Sequence, residues 1–202
     1  MISPVGDWPR DEDRYLDLLS SVERLLNTSV RFPELPFRAG RGNLDICQYS
    51  HAIEGSFEPV LQALVDSHAD ESVTVATFDP EPAEYREEYG TFGAFTIPGR
   101  RISETYWDAV AQESTGELIF SANVVAQVGS SGRWAVWAER SWDLAIIMTE
   151  GAGGPWLSCG VEFVPVEVAL ENFTEPEFKK PLKDDQRAKF LRNVRNVETM
   201  PD

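Results

Sequence analysis

The sequence predicts an α+β domain: an antiparallel β-meander over about residues 117–164 with helices packed on it, flanked by N-terminal and C-terminal helices. Three observations carry this. Apolar residues recur at helical spacing toward both ends of the chain, they alternate with period two through 117–163, and the connections between alternating runs are too short for a parallel crossover. A chain of 202 residues with 42% hydrophobic and 11% aromatic content can bury one core of ordinary size, which excludes global disorder.

The first helix is expected from about Asp11 to Leu26, where Tyr15, Leu18, Leu19, Val22, Leu25 and Leu26 form one apolar stripe. Asp11, Glu12 and Asp13 occupy its first turn, where the positive end of the dipole favours them. Pro33, Pro36, Gly40 and Gly42 break regular structure between Arg31 and Asn43. A second helix follows Ser56 as its cap, with Phe57, Val60, Leu61, Leu64 and Val65 on one face. Val73 to Phe78 is rich in β-branched residues and reads as a strand. The prolines and glycines of 79–101 predict a long loop with at most one helical turn, and a third helix starts at Ser103 and carries Tyr106, Trp107 and Val110.

The meander comes next. Leu118, Phe120, Ala122, Val124, Ala126 and Val128 alternate with Ser121, Asn123 and Gln127, and Gly129-Ser130-Ser131-Gly132 forms a turn. Arg133 to Ala138 makes the second strand; Trp142, Leu144, Ile146 and Met148 mark the third; Leu157, Cys159, Val161 and Phe163 mark the fourth, after a Gly151–Pro155 loop. A two-residue loop at Glu139-Arg140 would place Trp137 opposite Trp142. Trp134 and Trp137 cannot share a face, so one face carries a site or lies under a helix. A short helix runs from Pro165 to Leu170, and a last one from about Asp184 to Val197 has Leu191 and Val194 as its apolar seam. Residues 1–178 read as one domain, with 179–202 a basic helix docked on it.

Charge divides the chain the same way. All four lysines lie between Lys179 and Lys189, and residues 1–170 hold 11 arginines against 27 acidic residues. The whole formal charge of −16 therefore belongs to the body, which repels nucleic acid and anionic membrane and attracts basic protein surfaces. No uninterrupted apolar run is longer than Leu144 to Met148, which is far too short to span a bilayer, and Met1 to Trp8 has neither a basic nor an apolar signal region. Cys47 and Cys159 read as reduced thiols, so a cytoplasmic location is expected.

Catalytic patterns are thin. Cys47, His51 and Glu54 have the spacing a helical metal site would use, but two cysteines and two histidines are a poor ligand supply, and neither metal nor cofactor is expected. Gly129-Ser130-Ser131-Gly132 is not a nucleophile elbow, and Gly151 to Gly154 lacks the Lys and Ser or Thr of a phosphate loop. The densest functional candidate is acidic: Asp79, Glu81, Glu84, Glu87 and Glu88, interleaved with Tyr85 and Tyr89. Charge runs are usually solvated faces. Aromatic residues among acids suit a protein interface better, so these seven residues are the expected contact region for a basic protein partner.

The stretch from Ser131 through Trp134, Trp137 and Trp142 to Ile146 resembles a hairpin recurrent in uncharacterised bacterial proteins of the polymorphic-toxin immunity type. The resemblance implies a binding protein that neutralises a cognate toxin stoichiometrically, and it carries over no catalytic residue. Two other classes stay open: a small Ser or Cys hydrolase using His51 or His68 as base, and a scaffold subunit whose tryptophan face forms a homo-oligomer.

Overall fold

The computed structural model describes residues 8–38, 42–112, 117–151, 153–174 and 182–199. Strands β1 (Asn43–Gln48), β2 (Ser72–Asp79), β3 (Ala94–Pro98), β4 (Val124–Gly129), β5 (Trp134–Glu139) and β6 (Leu144–Thr149) form one sheet in the order β1-β6-β5-β4-β2-β3. Every neighbouring pair is antiparallel. The fold is α+β, with helices on both faces of the sheet.

Period-two alternation decides which side chains meet which layer. Val125, Trp134, Val136, Ala138, Ala145 and Ile147 face a first core, closed by α2 (Tyr49–Ile53), α3 (Glu58–His68), α5 (Ile102–Val110) and a 3-10 turn at Pro155–Ser158. Their neighbours Val124, Ala126, Ala135, Trp137, Leu144 and Ile146 face a second core under α1 (Glu12–Glu23), α7 (Val166–Asn172) and α8 (Asp184–Thr199). With both faces covered, every residue of β4, β5 and β6 is buried.

Local chemistry sets the helix ends. The Asp11 carboxylate accepts the Arg14 backbone N–H at 2.9 Å and caps α1. In α3 the first-turn proline is Pro59 and the residue before the helix is Phe57, so Ser56 is not the cap. The C-terminal helix is part of the second core, through Phe190 and Val194 more than Leu191. The Phe190 ring lies 5.1 Å from that of Phe32 and 5.2 Å from that of Trp142. At its surface Lys189 pairs with Glu34 and Arg195 with Glu167. Lys179 and Lys180 lie outside the described residues.

Four expectations need correction. Residues 79–101 are not a long loop: they form α4 (Pro82–Tyr89) and β3. Pro82 stands at the start of α4, where its missing N–H costs nothing, and Gly90 ends the helix at φ 71°, so the supposed breakers are its boundaries. Residues Leu118–Ser121 are a helical turn, α6, not a strand; Leu118 and Ala122, four apart, are buried while Phe120 points outward. The fourth strand of the meander is replaced by β1, which pairs with β6, while the 155–158 segment coils so that Trp156 is buried and donates to Asp45 Oδ2 at 3.0 Å. The β5–β6 connection is a four-residue loop, Arg140 to Asp143; Trp137 lies opposite Ile146, and Trp142 sits in the loop against Phe190.

Candidate functional site

The seven acidic and aromatic candidates fall on the end of β2 and on α4. Glu81, Glu84, Glu87 and Glu88 are exposed, as is Asp79. The carboxylates of Glu81 and Glu84 form a reciprocal capping box, so two of the four helix acids also hold the helix start. Tyr85 is the one of the seven that turns inward: it is wholly buried, its ring stacked on Trp8 (6.4 Å) and tilted against Tyr89 (4.7 Å). Burial pushes its phenol up to about 12. Tyr89 is half-buried. The tyrosines are thus the inner stripe of a short amphipathic helix whose outer face is acidic.

Beside this helix is a cleft of about 930 Å³, lined by α2, the segment after it, the start of α3, α5, α6 and the β5–β6 loop. Its apolar wall is Trp107 (41% exposed), Phe120 (71% exposed) and Ile53. Its polar rim is Glu54, Glu58, Asp143 and Arg140, with Ser50 and Ser56 between them. Trp107 lies flat enough on Gly55 that a Cβ there would meet the indole at 3.3 Å, and its backbone N–H donates to Glu58 Oε1 at 3.0 Å.

Arg140 is committed to the cleft floor. Its Nε and one amino nitrogen donate to the Ala122 carbonyl at 3.0 and 2.9 Å, and its guanidinium covers the Tyr49 ring at 4.9 Å. The Tyr49 hydroxyl donates to the same carbonyl at 2.6 Å. Burial pushes the Tyr49 phenol up to about 12, against the opposing pull of Arg140. Asp143, at φ 54°, accepts from Gln48 Nε2 through Oδ2 at 2.9 Å.

Cleft and acidic helix share one end of the sheet. Phe120 lines the cleft, its neighbour Ser121 sits beside the Tyr85 phenol of α4, and the Asn123 N–H donates to the Asp79 carbonyl at 2.6 Å. The surface therefore runs from Trp107 across α6 to α4. The acidic part is legible in the sequence; the cleft is not, because its residues come from separate elements. The one available signal was Trp107, which follows the Tyr106 and Val110 stripe of α5 but lies off it.

The residues weighed for catalysis are dispersed. His68 Nδ1 lies 2.8 Å from the Leu64 carbonyl, and its ring packs 5.9 Å from Trp156. Cys47 is fully buried, and that burial raises its thiol well above the ordinary range, the reverse of an activated nucleophile. Cys47 and Cys159 are both free. The Ser130-Ser131 turn is held by Asp70, which accepts the Ser130 hydroxyl at 3.3 Å and the Ser131 N–H. Among the described residues no three His, Cys, Asp or Glu side chains are grouped as metal ligands, and no helix is long and apolar enough to cross a membrane.

Comparison of the chain with protein-family models, with curated proteins and with solved structures finds no match.

Proposed function

We propose that this is a non-enzymatic binding protein that docks a basic partner protein on the acidic end of its sheet, and that the partner is a toxin neutralised by stoichiometric covering. The observation that carries the binding reading is the pairing of exposed Trp107 and Phe120 with a surround of carboxylates, in a body of formal charge −16. Aromatic anchors inside a charged rim are the usual anatomy of a protein interface, and a field of one sign speeds encounter with the opposite sign. The toxin is supported by the likeness of the 131–146 hairpin to immunity proteins, and a bacterial cytoplasmic setting goes with it.

The helix α4 supplies steering in this reading. The triple reversal Glu84→Lys, Glu87→Lys and Glu88→Lys is expected to lower the association rate with the partner about tenfold or more at low salt and to shrink the difference at high salt. Surface plasmon resonance at two ionic strengths reads this. Unchanged association rates would remove α4 from the interface.

A further inference from the structure

The cleft itself has a chemistry more specific than an acidic surface. Its walls are the faces and edges of Trp107 and Phe120, and three carboxylates (Glu54, Glu58 and Asp143) meet there with a single guanidinium. That guanidinium, Arg140, spends two nitrogens on the Ala122 carbonyl and lies over Tyr49. The residual field at the cleft mouth is negative, which disfavours an anionic occupant and favours a cationic one.

Resting on the binding reading above, we infer that this cleft receives an arginine side chain presented by a segment of the basic partner. Arginine fits on three counts. A planar guanidinium stacks on an aromatic face while its edge hydrogen-bonds to carboxylates, which a compact ammonium does less well. Its alkyl stem matches the apolar wall of Ile53 and Phe120. The volume of about 930 Å³ exceeds one side chain, so the residues flanking the arginine enter as well. The protein already uses this packing internally, in Arg140 over Tyr49 at 4.9 Å.

Phe120 is an anchor in this arrangement. A large apolar ring 71% exposed gains burial only when something covers it. Asp143 and Glu54 are the carboxylates whose charge can be removed with least disturbance. Asparagine tolerates the left-handed backbone that Asp143 adopts and still accepts from Gln48.

The test is a titration of the intact protein with the capped tripeptide acetyl-Gly-Arg-Gly-amide, followed by amide and indole NMR shifts. The isosteric citrulline peptide serves as the uncharged control. Saturable shifts of the Trp107 indole and of residues 53–58 with the arginine peptide, and at least fivefold weaker binding of the citrulline peptide, are expected. Millimolar affinity suffices, since a single side chain offers few contacts. The pair Glu54→Gln and Asp143→Asn should weaken arginine binding about fivefold with the fold intact by circular dichroism. Phe120→Ala should weaken both peptides. Equal binding of the two peptides, or no shift at about 20 mM, overturns the inference. So does a concentration-dependent mass abolished by Phe120→Ala, which would assign the cleft to a second copy of this chain. The α4 triple reversal separates this inference from the wider reading: it should leave peptide shifts at the cleft in place while slowing partner association. Peptide binding without any α4 effect on the partner would instead count against the steering surface alone.

Discussion

Two buried carboxylates each hold a tryptophan of β5, and they do different jobs. Trp134 donates its indole N–H to Asp70 at 2.6 Å in the first core, and Trp137 donates to Glu139 at 2.8 Å in the second. Asp70 also accepts from Ser130 and Ser131, so its bonds close the turn beside it. Glu139 also accepts the Phe32 N–H at 2.8 Å, from a residue 107 positions away in sequence. The first clamp fixes a hairpin turn; the second ties the loop before β1 to the far end of β5. Burial raises the Glu139 carboxyl above its ordinary value, opposed by the bonds from Trp137 and Phe32 and by Arg31. The lesson is that an ionisable side chain at a sheet end can be an assembly joint and need not mark a site.

The largest effect is expected at Glu139. Glu139→Ala leaves the Phe32 N–H and the Trp137 indole N–H without their acceptor, and should destabilise the protein by about 2–5 kcal/mol in urea unfolding. Asp70→Ala should cost less, about 1–3 kcal/mol, because water can reach the turn that Asp70 closes. A larger loss from Asp70→Ala would reverse the ranking of the two clamps.

Glu139→Gln sharpens the contrast without breaking the bonds, since one amide oxygen can accept both donors. The folded protein holds the Glu139 proton more tightly than the unfolded chain does. Its stabilising contribution is complete below the ordinary carboxylate range and is lost as pH rises through the raised folded value. The glutamine variant should therefore lack that decline and be as stable as the parent, or more so, at pH 8. A parent and variant with parallel stability–pH curves would show that the burial of this charge costs nothing. The smallest effect is expected at the open end of the sheet: Phe120→Ala should change stability by no more than about 0.5 kcal/mol, against its effect on peptide binding.

The sequence made some of this plain and hid the rest for identifiable reasons. Alternation in Val124–Val128, Arg133–Ala138 and Leu144–Met148 marked three strands because the sheet is buried on both faces there and tolerates few exceptions. Strand β1 was invisible because Asp45 interrupts it, and its partner, the Trp156 indole, is 111 residues away. Helix α4 was disguised by Pro82 and Gly90, which only a view of the whole element shows to be its ends. The acidic character of 79–88 was legible, but the orientation of Tyr85 depends on Trp8 and could not be read locally. The cleft was not legible at all, since Trp107, Phe120 and Arg140 meet only after α5, α6 and the β5–β6 loop have packed.

The C-terminal helix completes its core late in the chain. Phe190 and Val194 share a core with Trp137 and Trp142, yet they are synthesised some 40 residues after β6 is complete. At translation rates of about 5–20 residues per second those residues take roughly 2 to 8 seconds to make, so this core receives its last apolar side chains only as synthesis nears its end.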